Sequence, residues 1–184
     1  MRYLLVMMLG CTGQIDSTSM PDGQPVDGNQ SSDAPVSGGA ATLTITATST
    51  TGGGQYAPRN VVALWIEGPG GVFVKTVDRW AGVRKQHLVA WTTAAGGADA
   101  DAVSGATRAN HATPLTLTWN MMNRQNQLIP DGTYTVRMES TELNANTAGQ
   151  NHQGTFTFVK GPAPQQQTGL SNGGFTNVTL KFVP

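Results

Sequence analysis

The chain runs to 184 residues, with eleven Lys plus Arg against eleven Asp plus Glu and a charged fraction of 12%. That length holds one domain plus appendages, and so neutral a surface gives no electrostatic footing for nucleic acid or an anionic membrane. Cys11 is the sole cysteine, which excludes an intrachain disulfide, and Thr, Gly and Ala without Leu/Glu/Lys-rich runs point to an all-β secreted domain.

In chain order, residues 1–10 read as a targeting segment: Arg2 is the positive end, Tyr3 to Leu9 the apolar run, and Gly10-Cys11 the cleavage site. The segment resembles a bacterial lipoprotein signal. The resemblance implies that Cys11 becomes the lipidated N-terminus, and Thr12 after it implies sorting to the outer membrane, facing the periplasm or the cell surface. Residues 11–41 follow as a linker of Gly, Ser, Asp, Pro and Gln whose only charges are Asp16, Asp22, Asp27 and Asp33. Such a composition cannot collapse, so it reads as a disordered tether with a reach of roughly 30 Å.

Residues 42–184 read as one antiparallel β-sandwich of immunoglobulin-like type, with one short helix and a long loop. Thr42 to Thr50 alternates, with Leu43, Ile45 and Ala47 on one face. Val61 to Glu67 is apolar on both faces, as in a central strand. Gly68-Pro69-Gly70-Gly71 turns it into a hairpin partner, Val72 to Val77. From Asp78 the period becomes helical: Trp80, Val83, Leu88 and Trp91 form one stripe, which predicts a short amphipathic helix over 78–91. Residues 92–114 carry neither pattern, and a connection that long inside a compact domain is more often functional than accidental. Alternation returns at Leu115 to Trp119, Thr133 to Ser140, Thr155 to Val159 and in Val178, Leu180 and Phe182. The count is about seven strands.

Within the loop stands Asp101-Ala102-Val103-Ser104-Gly105-Ala106-Thr107. Gly105 permits a sharp turn, Ala106 adds little bulk, and Thr107 is left as an accessible hydroxyl. The stretch resembles the Asp-x-x-Ser/Thr-Gly-Ala-Ser/Thr signature of extracytoplasmic proteins that carry FMN in phosphoester linkage, including subunits of the sodium-pumping quinone reductase. The resemblance implies a flavin transferase that moves FMN from FAD onto Thr107, and an envelope redox partner. Trp80 and Trp91 then have two open roles: one of them flanks the flavin, or both close an end of the sandwich. Arg84 or Lys85 would answer the flavin's negative charge. Asp101 either orients the Thr107 hydroxyl, ligates the transferase's metal, or accepts turn hydrogen bonds.

Two further likenesses cover more of the chain. Trp119 with Pro130-Asp131-Gly132-Thr133-Tyr134-Thr135-Val136-Arg137 resembles the Ig-like domain of flagellar hook-capping proteins, although Asn120-Met121 replaces its Asp-Gly. The order Ala57-Pro58, Asn60-Val61, Trp65-Ile66-Glu67, Phe73-Val74-Lys75-Thr76, Trp80, Trp91, Ser104 to Thr107 and Trp119 is similar to an uncharacterised family of predicted periplasmic bacterial proteins.

Other chemistry is thin. His87, His111 and His152 lack paired metal-ligand spacing, Ser104 has no assignable base, and no phosphate-binding glycine loop precedes a helix. The expectation is a redox carrier with FMN on Thr107 and not a substrate-turning enzyme; the alternative is a cofactor-free Ig-like adhesion or assembly module of the envelope.

Overall fold

The computed structural model describes residues 40–96 and 103–184. The expected signal peptide, the lipidated Cys11, the linker up to residue 39 and Asp101 of the motif lie outside those residues.

Among the described residues, eight strands form two antiparallel four-stranded sheets packed face to face. They are β1 (Thr42–Ser49), β2 (Val61–Glu67), β3 (Phe73–Trp80), β4 (Leu115–Trp119), β5 (Gly132–Thr141), β6 (His152–Lys160), β7 (Gln165–Asn172) and β8 (Phe175–Val183). One sheet runs β4-β1-β8-β7 and the other β3-β2-β5-β6. The expected all-β sandwich therefore forms. Its hairpins stay within their own sheets, a strand order distinct from that of antibody constant domains.

The inner faces follow the alternation of the sequence. Leu43 and Ile45 of β1, Val62, Leu64 and Ile66 of β2, Val136 and Met138 of β5 and Phe182 of β8 meet in the main core. Phe158 sits among Trp119, Tyr134 and Phe182, with ring centroids 5.9 to 6.3 Å apart. The other face of β2 is buried too, as its unbroken apolar run implies: Val61, Ala63 and Trp65 pack with Ala81, Leu88, Trp91 and Ala95 in a second core. A short helix, α1 (Val89–Ala95), covers that core.

Two expectations are corrected here. The helix does not start at Asp78: β3 continues as a strand to Trp80, and only a short 3-10 turn (Lys85–His87) precedes α1, which runs on into the segment expected to be patternless. The misleading stripe arises because polar Thr76 and Arg79 are the buried residues of β3 under α1, so the usual alternation is inverted there. The eighth strand is β7, which the apolar pattern missed. Its residues, Gln165 to Asn172, are largely polar and pair with β8 alone, so the backbone ladder holds it without an apolar face.

Candidate functional site

The end of the sandwich opposite the termini carries the motif loop. Thr42 pairs with Val183 and Leu43 with Trp119, so the chain enters and leaves the domain at one end. Ser49, Trp80 and Thr141 end their strands at the other, where Ser104 to His111 is attached.

That loop is laid along the last residues of β3. The Ser104 amide donates to the Arg79 carbonyl at 2.9 Å, Gly105 forms a parallel bridge with Trp80, and the Gly82 amide donates to the Ala106 carbonyl at 3.3 Å. Close approach fixes the small residues. A Cβ on Gly105 would stand 3.1 Å from Cδ1 of Trp80, and one on Gly82 would stand 3.3 Å from Cα of Ala106. Just past the motif, Arg108 and Asn60 exchange both backbone hydrogen bonds, at 2.8 and 3.1 Å. Thr107 is therefore held between two pinned points, and it is exposed.

Beside Thr107 opens a groove of about 250 Å³ lined by Trp80, Arg108, Asn110, Thr113 and Leu115. Arg108 itself is 7% exposed. Its guanidinium donates to Ser49 Oγ at 3.3 Å and to the Thr113 carbonyl, and burial pulls its pKa below the ordinary value. Under the loop, His111 is strung between Ser49 Oγ, 2.8 Å from its Nδ1, and Glu142, which meets its Nε2. Glu142 also accepts from the amides of Gly52 and Gly54 at 3.0 Å and from the Thr51 hydroxyl at 2.8 Å. Burial pushes its pKa up, but the Gly54 amide, His111 and Thr51 outweigh that and hold the carboxyl below its usual range. This network has the three residue types of a nucleophilic triad, yet Ser49 is buried and Glu142 is fully engaged in fastening the Gly52–Gly54 turn. It clamps the loop.

The residues singled out from sequence do not all gather here. Ser104, Gly105, Ala106, Thr107 and Trp80 do. Trp91 does not: its ring is wholly buried under α1, its Nε1 donates to Thr76 Oγ1 at 2.9 Å, and Arg79 lies 4.7 Å from its centroid, so no face is left for a flavin. Arg84 is also committed elsewhere, stacked 3.8 Å over Tyr56 and donating to the Leu143 carbonyl at 2.5 Å. Lys85 is exposed in the 3-10 turn and is absent from the groove lining. Among the described residues no group of three or more His, Cys, Asp or Glu is arranged to hold a metal ion, and no helix is long and apolar enough to cross a membrane.

Two contributors escaped the sequence reading. Asp78, at the start of the helix the periodicity predicts, is a strand residue whose carboxylate accepts from the Ser104 hydroxyl and, at 2.6 Å, from the Arg79 amide. Arg108, beside the motif, forms the floor of the groove. Neither has a spacing that could have flagged it: the Asp78 contact depends on where β3 ends, and Arg108 is placed by its pairing with Asn60 and its bonds to Ser49 and Thr113.

The model of a family described as "Predicted periplasmic protein (DUF2271)" covers residues 40–163, more than half of the chain. No curated protein and no solved structure matches.

Proposed function

The chain belongs to that predicted periplasmic family, and from this premise we propose that it is an extracytoplasmic electron-transfer module carrying FMN on Thr107 and tethered to the membrane through Cys11. The observation that carries the reading is the exposed Thr107 hydroxyl, held between pinned backbone on both sides, at the mouth of a groove bordered by Trp80. The fit to FMN rests on three features. A hydroxyl is open to a modifying enzyme, the Trp80 indole borders an open groove, and the positively charged Arg108 lines that same groove, favouring a phosphodiester's negative charge. The small side chains of Gly105 and Ala106 are what let the backbone run close to β3 and leave Thr107 projecting. When bound, FMN supplies one- or two-electron chemistry.

Attachment is a displacement at phosphorus. The Thr107 oxygen forms an ester to the FMN phosphorus of FAD, the pyrophosphate bond breaks, and AMP leaves with the hydroxyl proton. The partners implied are a flavin transferase and a redox protein of the envelope.

Intact-mass analysis after co-expression of the full chain with a flavin transferase tests this. The expected result is a gain of one FMN moiety, retained in Thr107→Ser and lost in Thr107→Ala. A gain that persists in Thr107→Ala moves the site elsewhere. An unmodified wild-type chain leaves the cofactor-free adhesion or assembly module as the reading.

A further inference from the structure

We propose that Asp78 is a positioning residue for modification of Thr107, through its hydrogen bond to the Ser104 hydroxyl. The inference rests on the Thr107 reading above and gives the Ser104 hydroxyl a part in it.

The argument starts in β3. Leu64 pairs with Asp78 but Trp65 pairs with Thr76, so Val77 is an extra residue on β3, a bulge. A bulge reverses the inside–outside parity of the strand beyond it and re-aims the next side chain. Thr76 and Arg79 both lie in the buried layer under α1, where Thr76 Oγ1 meets Trp91 and Arg79 covers the same ring. Without the bulge, Asp78 would share the face of Thr76. With it, Asp78 is only half-buried and faces the motif loop. One carboxylate oxygen, Oδ1, accepts from the Arg79 amide at 2.6 Å, and the other, Oδ2, accepts from Ser104 Oγ.

Those bonds make one unit. The Arg79 amide orients the carboxylate, the carboxylate holds the Ser104 side chain, and the Arg79 carbonyl holds the Ser104 amide. Ser104 is thus gripped at backbone and side chain three residues before the acceptor, and Gly105 and Ala106 then follow β3 in a fixed register. Of the two bonds that hold Ser104, only the one from its hydroxyl depends on the residue type at that position. A loop presented in one conformation to a transferase avoids the ordering cost that a free loop must meet on binding.

The test is the rate of flavin attachment to the full chain by a purified flavin transferase at limiting concentration, followed by intact mass. Ser104→Ala and Asp78→Ala are each expected to lower kcat/KM about tenfold, as loss of a charge-assisted hydrogen bond does. The double variant is expected to lose the same tenfold and not a hundredfold, because either change removes the same bond. Ser104→Thr is expected to keep the wild-type rate, a rescue that a general loosening of the fold would not give. Hydrogen exchange on the unmodified protein supplies the second readout: in Asp78→Ala the amides of Ser104 and Gly82 exchange faster while those of β2 do not change. Wild-type rates in both alanine variants, or unchanged exchange at Ser104 and Gly82, overturn the proposal. A wild-type chain that takes up no flavin defeats the Thr107 reading, and the exchange measurement still decides whether Asp78 anchors the loop.

Discussion

Two glutamates, three positions apart on one strand and its extension, respond to pH in opposite directions. Glu139 is fully buried beneath α1, where it accepts from the amides of Ala90 and Trp91 at 3.0 and 2.8 Å and from Asn151 at 2.8 Å. Burial pushes its pKa up, against the pull of those donors. A carboxyl whose folded pKa is raised contributes stability that is complete at low pH and fades as pH rises through the folded value. Glu142 is the reverse case: its pKa is lowered in the fold, so its contribution is present above the unfolded value and is lost as pH falls through the folded one. In the wild type these trends offset each other, and single variants separate them. Thermal melts from pH 3 to 8 should show the wild-type advantage over Glu142→Gln shrinking as pH drops below the ordinary carboxylate value of about 4.5. The advantage over Glu139→Gln should shrink as pH rises above that value. Parallel pH trends for the two variants would contradict the assignment.

At the scale of elements, α1 is the piece whose existence depends most on its surroundings. Seven residues are far too few for a stable isolated helix. Three things hold it: the buried Trp91 ring, the apolar contacts of Leu88 and Ala95, and the Glu139 carboxylate at its first turn, which favours the positive end of the helix. Trp91→Ala removes a fully buried indole together with its hydrogen bond to Thr76, so it should cost about 3–5 kcal/mol by urea denaturation. Trp91→Phe keeps most of the packing and should cost less. A loss under 1 kcal/mol in the alanine variant would show that α1 is not packed as described. This element also marks how far the sequence could be read. The strands whose one face is apolar, β1, β4, β5 and β6, announce themselves, and so does β2, apolar throughout. What stayed hidden was polar residues in apolar places and the reverse: Arg79 and Glu139 buried under α1, and β7 with hardly any apolar residue. The motif at Ser104 to Thr107 was legible as a string, since turn chemistry is local. Its neighbours were not, because Asp78 reaches Ser104, Asn60 and Ser49 reach Arg108, and Glu142 reaches His111, from four separate segments brought together only by the sheet pairing.

Seen as a whole, the domain is polar in arrangement: connections to the rest of the chain at one end, the Thr107 loop at the other. Strands of eight to ten residues separate them, which at about 3.3 Å per residue is roughly 30 Å. An enzyme or redox partner that reaches Thr107 therefore meets the end away from Thr42 and Val183. Exposed valines allow a direct test. Val83 is 78% exposed and adjoins Gly82, whose amide is bonded to Ala106, whereas Val183 is 44% exposed and pairs with Thr42 at the far end. In a Cys11→Ser background, Val83→Cys and Val183→Cys can each carry one large polyethylene glycol chain through a maleimide. Blocking the loop end should slow flavin attachment at least tenfold, because the polymer occupies the approach to Thr107. The same polymer at Val183 should change the rate by less than about twofold, since it lies a strand's length away. Equal inhibition at both positions would mean that the transferase grips the whole domain, and equal indifference would mean that its approach is not from the loop end.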